Sequence, residues 1–541
     1  MSDHKPSLTC DVLISGYGPS GATLANLLGL RGFNVVVVER DKEIYDKPRA
    51  ITADHEVMRI FQECGLADEI MQSSIPHPGS DYIGLDNQII KRLYPAPPPL
   101  SLTWDPTWLF VQPELEATLR RGVDRFQCVS TFLGHELVSF TQDDTGVRAS
   151  VRRMDSDDFF EVTARYLVAC DGGRSTVRKL LKSTVENLDF DEWWIVADAR
   201  LRGELDLPKR ATHYCHPWRP GSFVIGPGDL RRWEVKILPG ENPASFESDE
   251  AFLQVLSNFV DISKIELWRK AIYCFHALVV DEWRCGCVFL MGDAAHQTPP
   301  FLGQGLCAGI RDAANLAWKL DAVERKGFPS TLLDTYGEER KPHVRQVVAS
   351  AKEIGLIIGE LDMEAARKRD ALLGEQIASG KAETIRQKFV PGLETGLLGK
   401  DPQGRLANSA GEVFVQPWVK SGGNVFARMD DLVEPGFAVF TTSRKLLLDL
   451  SEEARRIMRR FDIHLVQFEK AALAPARDQW NVLHLEEQND LAFNWFRDRH
   501  VQAVLVRPDH YVFGAAADAA ALDGLLRQLA AHAPATEPEL Q

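Results

Sequence analysis

Three features of the sequence predict an α/β protein built in several parts. The stretch DVLISGYGPSGATLANLLGLRGFNVVVVER, Asp11 to Arg40, reads as strand, glycine turn, helix, strand. Residues 126–170 and roughly 193–275 break into short alternating strands divided by turn signals, the pattern of mixed sheets. From Gly436 the chain restarts in a β-α-β-α-β-β-α order that contains no cysteine. That order fits a thioredoxin-like module from which thiol–disulfide chemistry is excluded. The expected architecture is a Rossmann-type nucleotide domain, a mixed β-sheet domain covering a cavity, and a C-terminal thioredoxin-like module.

In the first stretch each part has a physical task. Val12, Leu13 and Ile14 make a buried strand, and Gly16, Gly18 and Gly21 give the G-x-G-x-x-G spacing. Gly16 permits the tight turn, Gly18 lets backbone N–H groups approach a pyrophosphate, and Gly21 allows close helix–strand packing. Glu39 ends the second strand, with Arg40 beside it, where an acid accepts from a ribose 2′-OH. Next, Ala53 to Cys64 is expected as a helix stopped by Gly65, after a loop marked by Pro48. Arg49 stands at the loop's end as a candidate phosphate or cofactor contact. LYPAPPPLSLTWDPTW is expected to be irregular, and FVQPELEATLRRGV to start a helix with Pro113 in its first turn.

Two further glycine turns follow. DGGRSTVRKLL comes straight after the strand ending at Cys170. In CGCVFLMGDAAHQTPPFLGQGL, a buried strand delivers Gly292 and Asp293 to a turn, and a Pro-rich link leads to Gly303 and Gly305 before a helix. A helical region is expected over 329–377 and an irregular, Gly-rich linker after it.

Composition narrows the function. The chain has 541 residues, 45% hydrophobic and 26% charged, with a net charge of −15. That excess of acid argues against nucleic acid or an anionic membrane as partner. No apolar run is long enough to span a bilayer, and MSDHKPSLTC has no apolar secretory core. The nine cysteines are scattered without a CxxC. A reducing, cytoplasmic setting follows as the expectation. HYCHPW invites a metal reading, but on a strand His213 and Cys215 face one way and His216 the other, so no metal is expected.

GYGPSG, CDGGRSTVR and GDAAHQTPPFLGQG, in this order and spacing, resemble the three motifs of the single-component (class A) flavoprotein aromatic hydroxylases. PRAITADHE, FVQPELEATLR and GIRDAANLAWKL look closer still to the 3-(3-hydroxyphenyl)propionate hydroxylase group. The resemblance covers most of residues 8–375, and a cysteine-free thioredoxin-like tail also occurs in larger members. It implies FAD as cofactor. Gly16, Gly18 and Gly21 would hold its pyrophosphate and Glu39, with Arg40 adjacent, its adenosine ribose. Arg49 and Gln112 would reach it from the flanks, and Asp171 would support both FAD and docking of NADH or NADPH. Asp293 would bind the ribityl or pyrophosphate region, and Pro299, Pro300, Gly303 and Gly305 would lie along the isoalloxazine ring.

The implied domains are 1–80, 106–183 and 276–375 for FAD, and 81–105 and 184–275 for the substrate sheet. A linker at 376–432 and a thioredoxin-like domain at 433–541 complete the division. The implied reaction is hydroxylation of a phenol, ortho to its hydroxyl, by NAD(P)H and O2 through a flavin C4a-hydroperoxide, giving a catechol. His55 and Asp54 are the candidates for the phenol-activating base, with Pro299 at the reacting end of the ring. The chain departs from the group here, since members near it often carry a second acid where His55 stands. Both residues could equally cap the helix beginning there. His213, Cys215, Trp218 and Arg219, on the covering sheet, are the substrate candidates. A homodimer is expected. The alternatives are a hydroxylase of a larger polyketide-type or nitrocatechol ring, and a non-catalytic FAD-binding interaction protein. The absence of a WxWxIP run disfavours a flavin halogenase.

Overall fold

The structure, a computed structural model, describes residues 7–47, 49–156, 158–380, 383–421, 425–471 and 481–533. Pro48, Asp157 of the DSDD turn signal, and 381–382 and 422–424 of the expected linker lie outside the described residues. The chain divides into two compact units. The first comprises residues 1–96, 105–311 and 344–390, and the second 97–104, 312–343 and 391–541.

The first unit holds the nucleotide sheet. Five parallel strands run in the order Val129–Leu133, Val35–Glu39, Ser7–Ser15, Phe159–Ala169, Val288–Leu290. Val12, Leu13, Ile14 and Val37 are fully buried, which is why this stretch reads as a continuous apolar run rather than an alternation. The helix Pro19–Leu30 crosses from one strand to the next. Strands His135–Asp143 and Gly146–Arg153 form an antiparallel extension on Phe159–Ala169.

A nine-stranded sheet in the same unit is built around two long strands, Val185–Leu201 and Ile265–Val280, paired antiparallel. Its two faces differ. Ile195, Ala197, Phe223, Trp233 and Val235 pack with Phe252 and Leu256 of the helix Asp249–Leu256 into an apolar core. The other face is largely polar and is described below.

The second unit carries a seven-stranded sheet with hydrophobic clusters of its own. Ala438–Thr441 pairs parallel with His464–Glu469 and antiparallel with Ala503–Val506, which pairs with Val512–Ala516. With the helices Glu452–Arg460, Leu491–Asp498 and Ala519–Ala531 this is the thioredoxin-like arrangement. Its interior includes an ion network: Glu339 binds Lys319 and Arg507, and Arg507 also binds Asp509, all buried.

Several expectations need correction. Residues 376–432 are not a linker. Glu383–Ile385 pairs with Ile89–Tyr94 at the edge of the nine-stranded sheet, and Trp418–Ser421 and Val425–Arg428 join the C-terminal sheet. Glycine density disguised these strands, because each is only three or four residues long. Residues 97–104 fall in the second unit, not with the substrate sheet. The strand Leu483–Glu487 has no counterpart in the expected order, since LHLEE has too few apolar residues to signal one. Thr52–Asp54 is a strand paired with Thr107–Leu109, so the following helix starts at His55. The helical region after residue 329 breaks at 360–362, where Asp362 caps a second helix, Met363–Ala378.

Candidate functional site: three glycine motifs beside a polar sheet face

The three glycine motifs meet in the fold. Gly16 has φ +101°, and a Cβ there would stand 2.3 Å from the carbonyl oxygen of Cys170, so the first and second motifs are in contact through a position only glycine can fill. A Cβ on Gly21 would meet the Gly16 carbonyl oxygen at 2.2 Å, whereas one on Gly18 meets nothing within 4 Å. Gly18 thus borders open space, at the start of a helix that no side chain caps. Uncapped N–H groups at the positive end of a helix suit a phosphate. Glu39 is held beside this turn, accepting from the backbone N–H of Tyr17 at 2.7 Å and of Asp41 at 2.9 Å.

Arg178 links the second motif to the third by donating to the carbonyls of Asp293 (3.2 Å) and Ala294 (2.9 Å). The side chain of Asp293 is exposed. Asp171 accepts from the N–H groups of Thr176 and Val177 through one oxygen, while its buried Oδ1 has no protein partner. Burial holds its carboxyl above the usual value, with hydrogen bonds from Ser175, Val177 and Thr176 acting against that. An orphaned carboxylate oxygen and the open space at Gly18, Gly172 and Gly305 fit a dinucleotide with hydroxyl donors such as FAD.

Pro299 is extended, the turn Pro300–Leu302 is 3₁₀, and Gly303 takes the left-handed conformation at φ +60°. A Cβ on Gly303 would lie 2.0 Å from Thr52 Oγ1, which donates to the Gly303 carbonyl at 3.2 Å. Gly305 opens the helix Gly305–Arg325. This loop packs against the polar side of the nine-stranded sheet, where Phe301 meets Trp194 at 5.3 Å and Phe275 at 6.1 Å between ring centroids.

Cross-strand register puts Tyr82, His213, Ser222 and Glu234 in one row on that side. All four are buried. His213 Nδ1 lies 2.8 Å from Ser222 Oγ, and its ring is 4.5 Å from that of Tyr82. Burial first, and then the charge of Arg386, hold the His213 imidazole at about 3. Burial raises the carboxyl of Glu234. In the next row Arg232 and Arg269 both bind the fully buried Asp198, and Arg232 also donates to the carbonyl of Arg49 at 2.8 Å. Tyr82, Ser222, Glu234 and Arg386 were not legible as site residues. Only the period-two alternation across strands could have signalled the first three.

The catalytic candidates separate. Asp54 is a structural acid: it caps the helix His55–Glu63 through the Val57 N–H and binds Arg311, whose guanidinium also reaches Glu56. Burial pushes its carboxyl up, but Arg311, with His55 and the Val57 N–H, together more than offset this, so it stays ionised and engaged. That arrangement corrects its assignment as a base. His55 begins the same helix, and burial holds it below the ordinary histidine value.

The cofactor flank also changes. Gln112 uses its side-chain oxygen to accept from the N–H groups of Arg49 and Ala50, so it shapes that loop. Arg49 and Arg40 are exposed. Among the substrate candidates, His213 and Cys215 are buried, and burial raises the Cys215 thiol to about 12. Trp218 is 55% exposed and stacked on His216. Both terminal nitrogens of Arg219 are spent on Glu241 at 2.7 Å. Trp218 is therefore corrected to the surface, and Arg219 to a half-buried ion pair with Glu241. His216 turns away to the Gly84 carbonyl. The three-residue metal grouping among the described residues is Asp191, Cys274 and His276, with Asp191 exposed and ion-paired to His276.

Comparison with known proteins identifies the family. The family described as "FAD binding domain" matches residues 9–351, and "HcaD C-terminal domain" matches 411–532. A 3-(3-hydroxy-phenyl)propionate/3-hydroxycinnamic acid hydroxylase of Burkholderia cenocepacia (strain HI2424) is 33% identical over 96% of each chain. A probable NADH-specific resorcinol 4-hydroxylase of Rhodococcus jostii (strain RHA1) is 34% identical over 96% of this chain and 94% of its own. In fold, the chain superposes on the flavin-dependent monooxygenase PieE with a TM-score of 0.79 at 21% identity, covering 97% and 99% of the two chains. It superposes on aklavinone-11 hydroxylase at 0.74 and 24% identity, covering 98% and 99%. The chain belongs to the FAD-binding-domain family of flavoprotein aromatic hydroxylases. No helix among the described residues is long and apolar enough to cross a membrane.

Proposed function

We propose that this chain hydroxylates a one-ring phenol, ortho to its hydroxyl, using NADH or NADPH and O2, and releases a catechol and water. The observation that carries it is the meeting of three glycine motifs beside a loop, Pro299–Gly305, covered by a sheet face of buried polar side chains. Relatives sharing about a third of the sequence over their full length bear the names of one-ring phenol hydroxylases, which supports that substrate over a polyketide.

Bound FAD supplies the hydride acceptor and the activation of O2. The chain's residues do the rest. Gly18 and the N–H groups of the helix Pro19–Leu30 bind the pyrophosphate, Glu39 the adenosine ribose, and Asp171 and Asp293 hydroxyls further along. N–H groups around Gly303 and Gly305 favour negative charge at the ring end. Trp194, Phe275 and Phe301 exclude water from the reacting ring. His55, neutral at working pH, takes the phenolic proton. The same reading has a cytoplasmic homodimer, consistent with nine free cysteines. Light scattering tests the dimer.

The decisive experiment measures NAD(P)H consumption by the purified yellow protein with and without added phenols, coupled to product analysis. Phenol-stimulated oxidation with catechol formation is expected. Bound FAD without any stimulation would sink the hydroxylase reading.

A further inference from the structure

Arg386 follows the short edge strand Glu383–Ile385 in a segment that neither family match covers. It is 8% exposed. A buried guanidinium is costly unless a carboxylate compensates it, and five other buried arginines obey this rule. Arg311 has Asp54 and Glu56, Arg232 and Arg269 share Asp198, Arg340 has Asp312, and Arg507 has Glu339. Among the described residues no acid pairs with Arg386.

Its partners are neutral. Nη2 donates to the carbonyl of Leu302, Nη1 stands 3.5 Å from His77 Nε2, and Nε is buried with no partner. His77 and His213 are both held below the ordinary histidine value, by burial first and then by Arg386 itself. Tyr82 is fully buried, its hydroxyl has no partner, and burial keeps it protonated. The remaining ionisable neighbours are the protonated Cys307 and Asp54, which is already paired to Arg311. The position is specific as well: Arg386 Nη2 lies 3.0 Å from where a Cβ on Gly303 would stand.

We propose that Arg386 binds an anionic oxygen of the aromatic substrate, with the Tyr82 hydroxyl as a second contact. The missing counter-ion is the substrate itself. If that oxygen is the ionised ring hydroxyl, Arg386 favours the phenolate, the form most reactive toward oxygen transfer, and the phenolic proton passes to His55, the base of the proposed function. If it is a side-chain carboxylate, Arg386 sets which phenols are accepted. Both are one chemistry, an oxyanion facing a buried guanidinium.

This assignment rests on the hydroxylase reading, and the test keeps the two apart. The holoenzymes of the wild type, Arg386→Met and Arg386→Lys are titrated with a nitrophenol, whose anion is read in the difference spectrum against protein alone. Turnover is then followed with resorcinol and with 3-(3-hydroxyphenyl)propionate. The wild type is expected to bind the nitrophenol as its anion below the pH at which it ionises in buffer. Arg386→Met is expected to abolish that shift or to raise KM by roughly 10- to 100-fold, the worth of a charge-assisted hydrogen bond, with Arg386→Lys restoring part of it.

A loss with both substrates assigns the ring oxygen, and a loss confined to the propionate assigns the carboxylate. Unchanged ionisation and unchanged KM for both in Arg386→Met would overturn the proposal. So would a loss of flavin or of phenol-free NAD(P)H oxidation with the binding spectrum intact, since Arg386 would then only hold the Leu302 carbonyl. Absence of stimulated turnover in the wild type would count against the hydroxylase reading alone, because the binding spectrum still reports on Arg386.

Discussion

Arg311 donates to Asp54 across 257 residues of sequence, and both side chains are buried. The pair fastens the start of the helix His55–Glu63 to the helix that follows the Pro299–Gly305 loop. Asp54→Asn is expected to destabilise the fold by about 3 kcal/mol, because it leaves Arg311 under-compensated. The Asp54 carboxyl sits below its ordinary value in the fold. Its contribution is therefore complete above that ordinary value and lost as the pH falls through the lower, folded one. Urea melts from pH 7 down to 3 should converge for wild type and Asp54→Asn only at the acid end. Equal stability of the two at pH 7 would contradict the role.

The glycines of the first turn should fail differently. Gly16→Ala places a methyl against the Cys170 carbonyl in a strained backbone, so the apoprotein itself should lose stability, by roughly 2–4 kcal/mol. Gly18→Ala meets open space at φ −70°. Its apoprotein should melt like the wild type while FAD affinity falls. Thermal melts of apoprotein set beside FAD titrations separate the cases, and an apo Gly18→Ala as unstable as Gly16→Ala would refute the assignment of that space to the cofactor.

In the second unit Glu339 carries two buried cations, Lys319 and Arg507. Burial alone would raise its carboxyl, yet the two cations bring it from 4.5 to about 2. A carboxyl depressed in this way stabilises above pH 4.5 and loses its contribution as the pH falls toward 2, an effect of about 3 kcal/mol. Glu339→Gln should remove a similar amount at neutral pH. Hydrogen exchange in the strand Ala503–Val506 is the readout, and unchanged protection in that variant would show the network to be dispensable.

His55 is held below the ordinary histidine value by burial, with Asp54 and Glu56 opposing. It is neutral through the working range and titrates only on the acid side. If it accepts the phenolic proton, His55→Ala should alter the acid limb of kcat/KM for the phenol while leaving FAD content unchanged. An identical pH profile removes it from the role.

The class of the protein was legible in local sequence. The motifs at Gly16, Cys170–Arg178 and Gly292–Gly305 were legible because their task is local: a turn of given shape, a backbone approach, a helix start. The thioredoxin-like tail was legible from strand and helix periods in the same way. Tertiary structure decided which polar side chains are free to act. Asp54 looks like a base until Arg311 arrives from 257 residues away. Arg219 looks like a substrate anchor until Glu241 occupies it. Tyr82, His213, Ser222 and Glu234 share one face only because of strand register, and Arg386 enters from a segment that reads as a linker. Ion pairing and sheet register depend on contacts between distant segments, and local spacing does not encode them.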